Sequence, residues 1–136
     1  MAGFRIFDIA GSGMSAQSVR LNTVASNIAN ADSVGGDPQS VYRARHPVFQ
    51  AVLGSGADSN TAAVRVAGVV QSQAKPESRY DPGNPLADSQ GYVYAPAVNV
   101  VEEMADMISA SRSYQNNVEV LSTARDLMLA TLKLGQ

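Results

Sequence analysis

A glycine-rich motif near the start of the chain is the pattern closest to a catalytic or cofactor-binding signature. Residues 11–16 read GSGMSA and fit the G-x-G-x-x-A fingerprint that places a dinucleotide phosphate at a helix start. That fold also needs a second parallel strand after the helix, and no apolar run of that kind follows. A heptad of apolar residues continues through both glycines. We interpret Gly11 and Gly13 as glycines within a helix, and a dinucleotide-binding enzyme fragment as the alternative.

The other reactive residue types do not form a catalytic set. The chain has one histidine, His46, and no cysteine, so thiolate chemistry is excluded and a transition-metal site lacks ligands. The adjacent carboxylates Glu102 and Glu103 are better explained as charges at a helix start than as a general acid and base. Arg43 and Arg45 are suited either to an anionic partner or to an exposed strand face. We predict no enzymatic activity, no cofactor and no metal.

Composition narrows the classes of partner. The chain has 136 residues, enough for one domain, and a formal net charge of −2 with 6% aromatic residues. These values do not favour nucleic-acid binding. No apolar run reaches the roughly 18 residues that cross a bilayer, so we predict no membrane insertion. Asp8 interrupts the apolar start, so we also predict that no signal peptide is cleaved.

The chain from Asn99 to Leu134 has the spacing of one long helix. Asn99 can cap its start, with Glu102 three residues later, and Gly135 marks its end. Val101, Ile108 and Leu129 widen the apolar stripe beyond a two-helix seam. The predicted heptad seam consists of Met104, Met107, Ser111, Tyr114, Val118, Leu121, Arg125, Met128 and Leu132.

A second heptad at the other end of the chain predicts a first helix. Gly11 and Gly13 each cost about 1 kcal/mol against alanine in a helix interior, so we expect this helix to be marginal alone. Asn30 and the glycine pair 35–36 end it. Its heptad positions are Phe7, Ala10, Met14, Gln17, Leu21, Val24, Ile28 and Ala31.

The middle of the chain differs from the two ends in composition and periodicity, since it holds all 6 prolines and its apolar residues show no helical spacing. Short β-like runs at residues 48–53, 64–70 and 92–98 predict a small antiparallel insert, with a flexible turn over 54–63. The fold class is therefore α+β, with long terminal helices in an antiparallel coiled-coil-like pair and a loop-rich β insert. The predicted units are 1–32, 33–98 and 99–136.

Two wide apolar stripes on long helices leave much surface to cover. Each large apolar side chain gains roughly 1.5–3 kcal/mol only when it is fully buried, so the pattern predicts covering surfaces, some of them from other chains. The helices of an ordinary monomeric core and a free-standing coiled-coil adaptor remain alternatives at this point.

Several segments resemble the axial proteins of the bacterial flagellum. Residues 21–32 (LNTVASNIANAD) are similar to the N-terminal signature of the rod, hook and hook-associated proteins. More particular likeness to the basal-body rod proteins lies in residues 80–88 (YDPGNPLAD), 91–93 (GYV) and 103–114 (EMADMISASRSY). Residues 7–12 (FDIAGS) and 131–136 (TLKLGQ) fit as well, so the resemblance spans nearly the whole chain.

This resemblance implies that the chain is a structural subunit of the proximal rod in the periplasm. The assembled rod would house the export channel and transmit torque. The resemblance also implies passage through the flagellar type III export apparatus, and as partners further copies of the chain, FlgB, FlgF and FliE. Arg125 would then set register on an acidic partner or extend to solvent. The residues predicted at subunit interfaces are Phe7, Met14, Leu21, Val24, Asn27, Ile28, Asn30, Met104, Met107, Ile108, Tyr114, Asn117, Val118, Leu121, Arg125, Met128 and Leu132.

Overall fold

The structure is a computed structural model, and it describes residues 2–53 and 62–135, with side chains from Arg5 onward. The chain has one helix at each end, with two small antiparallel sheets between them in the sequence, which confirms the α+β class. In chain order the elements are α1 (Ala2–Asn30), β1 (Arg45–Leu53), β2 (Ala62–Gln71), β3 (Glu77–Tyr80), β4 (Tyr92–Ala95) and α2 (Val100–Leu134).

Helix α2 begins and ends at the signals predicted for it. The side-chain oxygen of Asn99 accepts hydrogen bonds from the backbone N–H groups of Val101 at 3.1 Å and Glu102 at 3.4 Å. These bonds satisfy donors that have no partner within the helix. Gly135 occupies the C-cap position. With 35 residues, α2 is about 50 Å long.

Helix α1 runs without interruption through Gly11 and Gly13, as the heptad that continues through both glycines predicted. The GSGMSA motif therefore lies inside a helix and does not form the turn between a strand and a helix that a dinucleotide phosphate requires. The dinucleotide-binding alternative is wrong. A Cβ on Gly13 would lie 2.9 Å from Nδ2 of Asn117 in α2, whereas one on Gly11 would meet nothing within 4 Å.

The β insert consists of two separate sheets of two antiparallel strands each. The first is the hairpin β1–β2, which pairs Arg45 with Gln71 and Leu53 with Ala62 and has a bulge after Val48. The second pairs β3 with β4. Most of the predicted turn over 54–63 lies outside the described residues.

The strand predictions were right for β1 and β2 and only partly right for the second sheet. The predicted run 92–98 ends as β4 at Ala95, because the following Pro96 has no N–H to donate. Strand β3 was missed, since its sequence ESRY is short, polar and exposed throughout and so carries no apolar alternation.

The helices contact each other in antiparallel orientation through small and polar residues. Asn27 contacts Glu103, Arg20 contacts Asp106, and Gly13 approaches Asn117. The buried residues of α2 are Glu103, Ala110 and Ala124, which are separated by multiples of seven. The buried residues of α1 include Ala10, Ala16 and Val24.

This contact face differs from the apolar heptad predicted in α2. Met104, Val118 and Leu132 of that heptad are exposed, whereas Met107, Leu121 and Met128 are half-buried at its edge. Two helices can lie close together only where the side chains between them are small. The large apolar residues of α2 therefore lie mainly outside the helix pair.

The two helical glycines provide a matched test of this close approach. Replacing glycine by alanine in a helix gains about 0.5–1 kcal/mol where there is space for the methyl group. We expect Gly11→Ala to stabilise the fold by about that amount, and Gly13→Ala to gain less or to destabilise, because its methyl group meets Asn117.

The midpoint of folding, followed by circular dichroism in increasing trimethylamine N-oxide, measures this difference, since that osmolyte favours the compact state. Equal midpoints for the two variants would contradict the close approach of α1 and α2 at Gly13.

Candidate subunit interface

A buried polar junction at Asn27 joins three parts of the chain. Its Nδ2 donates to the backbone oxygen of Arg45 and to Oε1 of Glu103, each at 2.9 Å. Its Oδ1 accepts from the backbone N–H of Arg45 and from the Tyr42 hydroxyl, each at 2.8 Å. Asn27 is 0% exposed, so its full hydrogen-bonding capacity is used inside the protein. The junction fixes α1, the start of β1 and the first turn of α2 in one register.

Glu103 is the ionisable member of this junction. It is only 6% exposed, and its Oε2 atom has no hydrogen-bond partner in the structure. Burial raises the pKa of Glu103 above the ordinary value of 4.5, because the charged form loses water, while the Asn27 hydrogen bond and nearby His46 lower it in part. The carboxylate is therefore held at a cost that its single bond to Asn27 offsets only in part.

An ion pair about two turns away along α1 and one turn away along α2 reinforces the same register. Nη2 of Arg20 lies 2.7 Å from Oδ1 of Asp106. Both side chains are partly exposed, so the pair contributes orientation more than stability. Above it opens a cleft of about 350 Å³ between α1, β1 and α2, which Arg45, His46 and Phe49 also line.

Outside the helix pair, α2 presents an exposed apolar surface along most of its length. Val101 is 76% exposed and Leu132 is 68% exposed. A soluble monomer rarely leaves so many large apolar residues open along one helix. The exposed members are Val101, Met104, Ile108, Tyr114, Val118, Val120, Leu127, Leu129, Leu132 and Leu134.

The predicted interface residues fall into two groups. Those on α1 lie mostly towards the interior of this chain, with Val24 and Asn27 buried and Phe7, Met14, Leu21, Ile28 and Asn30 half-buried. On α2, Met107, Asn117, Leu121 and Met128 are half-buried. The remaining six, Met104, Ile108, Tyr114, Val118, Arg125 and Leu132, are exposed. Their contact with other subunits stays a prediction.

Sequence reasoning included Asn27 and Asn117 among the interface residues but missed the buried residues of α2. Glu103, Ala110 and Ala124 are small or polar, and a search for apolar periodicity passes over them. The signal was a heptad of small and polar residues one position behind the apolar heptad, since Ala110 precedes Ser111 and Asn117 precedes Val118.

Within residues 2–53 and 62–135, no three acidic or histidine side chains cluster as metal ligands would. Over the same residues, neither helix combines the length and apolar character needed to cross a bilayer. The candidate site is the exposed apolar surface of α2, and the polar junction at Asn27 fixes how α2 is oriented against α1.

Comparison with known proteins identifies the family of this chain. Residues 7–36 match the family described as "Flagella basal body rod protein", and residues 89–134 match "Flagellar basal body rod FlgEFG protein C-terminal". Over all 136 residues and the full length of both chains, the sequence is 57% identical to the flagellar basal-body rod protein FlgC of Escherichia coli O6:H1. The chain belongs to the flagellar basal-body rod protein family.

Other rod proteins show the same likeness over most of their length. The FlgC protein of Salmonella typhimurium is 56% identical over 136 residues, with both chains covered in full. That of Agrobacterium fabrum is 44% identical over 127 residues, which cover 93% of this chain and 90% of the relative.

The rod family is structural, so this chain is a structural subunit and not an enzyme. The absence of a catalytic set in the sequence is consistent with that role.

Removing the junction should destabilise the rod protein far more than removing a nearby asparagine. Asn27→Ala removes the Asn27 side chain from Glu103 and from both backbone groups of Arg45, and each unsatisfied buried group costs about 1–3 kcal/mol. Tyr42 also loses its bond to Asn27 but keeps Ser26 Oγ at 3.0 Å. Asn30→Ala is the matched control, since Asn30 Nδ2 donates to the backbone oxygen of Ser26 in its own helix.

We expect a loss of at least about 2 kcal/mol for Asn27→Ala and less than about 1 kcal/mol for Asn30→Ala. The trimethylamine N-oxide folding midpoint measures both losses. Equal losses for the two variants would show that Asn27 does not join the three segments.

The pKa of Glu103 predicts a pH dependence of folding. Because its folded-state pKa lies above 4.5, the folded state binds more protons than the unfolded state between 4.5 and the raised pKa. Stability from this group is greatest below pH 4.5 and is lost as pH rises through the folded-state pKa.

Glu103→Gln should keep the Asn27 bond and flatten this pH profile, while Glu102→Gln, on the exposed neighbour, should retain it. Folding midpoints measured at half-unit steps from pH 4 to 8 compare the variants. An unchanged slope in Glu103→Gln would assign the pH dependence to another group.

Proposed function

We propose that this chain polymerises into the proximal rod through the outward apolar surface of its terminal helices. The observation that carries the proposal is the exposure of large apolar residues on α2, including Ile108 and Val118, while small and polar residues fill the space against α1. A helix pair built in this way keeps its register without covering the residues that gain most from burial. Neighbouring subunits cover them.

Assembly through different surfaces of one subunit would extend without closing. Heterologous contacts repeated by a rotation and a rise generate a helical tube. Such a tube houses the export channel and passes torque through packed helix faces. Within each subunit, α1 and α2 act as an antiparallel coiled-coil-like pair, so the units 1–32 and 99–136 form the tube and 33–98 lies outside it.

Folding and assembly are coupled in this proposal. Ordering a helical residue costs on the order of 1–2 kcal/mol in backbone entropy, and α1 and α2 span 29 and 35 residues. With the apolar surface of α2 uncovered, the free subunit has little to offset that cost, and its helices are only partly formed. Contact with neighbours then supplies the missing burial, which delays polymerisation until after export.

The partners are further copies of the chain and the rod proteins FlgB, FlgF and FliE. The place of assembly is the periplasmic part of the basal body, reached through the flagellar type III export apparatus without removal of a signal peptide. Similarity to FlgC over the whole length of the relatives supports these assignments.

A charge on the apolar surface tests assembly separately from export. Val118 is exposed on the apolar side of α2, and Asn116 is exposed on another face of the same helix turn. Val118→Asp should export normally but reduce swimming by at least tenfold, because burying a carboxylate against a neighbour is unfavourable. Asn116→Asp introduces the same charge and should leave swimming near normal.

Swimming in soft agar and the amount of chain in isolated basal bodies report assembly, and secretion reports export. Normal swimming by the Val118→Asp strain would contradict assembly through this surface. Loss of secretion would show that the substitution acts before assembly.

The free chain provides a second test. Circular dichroism of the dilute subunit should give clearly less helix than α1 and α2 contain in the structure. High molar helicity with a cooperative melt in the dilute monomer would contradict coupled folding.

A further inference from the structure

One face of the β1–β2 hairpin is a second exposed apolar surface, separate from α2. Residues paired directly across two antiparallel strands share a face, and here Phe49 pairs with Val66 and Pro47 with Val69. Phe49 is 39% exposed, since α1 covers only part of this face. We define the apolar hairpin face as Pro47, Phe49, Leu53, Val64, Val66 and Val69.

The first three turns of α2 carry exposed apolar residues, as the apolar hairpin face does. Val101, Met104 and Ile108 are spaced three and four residues apart, so they lie on one side of the helix. All three are more than half exposed. We define them as the α2 entry stripe, and Glu102 stands beside it.

These two surfaces do not meet within one subunit. Helix α1 contacts both strands of the hairpin and also contacts α2, and Ser12 of α1 accepts a hydrogen bond from the backbone N–H of Val64. In the part of the chain that the structure describes, α2 makes almost no contact with the hairpin. Phe49 lines the same cleft as Asp106 of α2, but Val101, Met104 and Ile108 are not among the residues that line it. Both the α2 entry stripe and much of the hairpin face remain exposed to another molecule.

Charge distinguishes the two surfaces and makes them complementary. Arg45 lies on the same face of β1 as Phe49, and its guanidinium stands over the Tyr42 ring at 5.7 Å. Arg45 forms no ion pair within the described ranges. The ionisable residues in the first three turns of α2 are all acidic, namely Glu102, Glu103 and Asp106. Of these, Glu102 is exposed and has no basic partner among the described residues.

We propose that the apolar hairpin face of one subunit receives the α2 entry stripe of a second copy of this chain, with Glu102 beside the Arg45 of the neighbour. The proposal rests on polymerisation as proposed above and specifies which surfaces meet. Because the two surfaces differ, the contact is heterologous and can be repeated from copy to copy. The charge pair fixes the direction in which the neighbour is added.

Cysteine cross-linking can test this contact cleanly, since the natural chain contains no cysteine. One cell strain produces two full-length versions of the chain, Phe49→Cys and Ile108→Cys, and its basal bodies are treated with a short thiol cross-linker. We expect an adduct of twice the chain mass only when both versions are present. Val52→Cys is the matched control, because Val52 is 41% exposed on the opposite face of β1.

Charge reversal gives an independent readout. Arg45→Glu and Glu102→Lys should each lower the adduct yield about tenfold, because each places like charges together. The two reversals combined should restore it to within about twofold. Arg45 takes part in the Asn27 junction through its backbone, so reversing its side chain leaves those bonds in place.

Three results would overturn the inference while leaving the rod function intact. These are basal bodies that contain the chain but yield no adduct, an adduct of equal yield with Val52→Cys, and an adduct from either cysteine version alone. Cross-linking from position 49 to a protein of different mass would likewise assign the hairpin face to another partner. Absence of the chain from basal bodies would overturn the proposed function, and this inference with it.

Discussion

The close approach of α1 and α2 is the constraint on which the rest of the structure depends. Asn117 lies so close to Gly13 that a Cβ atom there would be 2.9 Å from Asn117 Nδ2. Ala110 and Ala124 are buried on α2 as well. Residues this small contribute little apolar burial, so specific polar contacts at Asn27 and Arg20 must fix how the helices align. A one-turn slip would leave the Glu103 carboxylate buried without a donor, and that cost selects one register.

Because small and polar residues occupy the contact between α1 and α2, the large apolar residues of α2 lie on the protein surface. The apolar residues of α2 are numerous enough to form a core, yet the structure places most of them on the open side. A protein that used them for its own core would be a more stable monomer and would have less to offer a neighbour. In the proposed assembly, burial of these residues by neighbouring subunits would stabilise the polymer more than the free subunit.

Much of the fold was predictable because long helices and their caps have strong local signals. Asn99, Gly135 and the sustained heptad placed α2 almost to the residue. The hairpin followed from β-branched runs between turn residues. Strand β3 was not predictable, since its four residues form a strand only through pairing with β4, where Tyr80 and Tyr92 also stack edge to face.

The candidate site was predicted in composition but not in arrangement. An apolar heptad predicts that one side of a helix will be buried, but it does not identify the element or subunit that buries it. In α2 the residues that face α1 lie one position before the predicted apolar heptad. Glu103 bonds to Asn27 there and Asn117 lies against Gly13, whereas Met104 and Val118 are exposed. Directional hydrogen bonds are satisfied at one geometry, whereas apolar burial is satisfied by any dry surface. The polar residues therefore fix the register of the two helices, and the apolar residues of α2 remain exposed for the contacts proposed above.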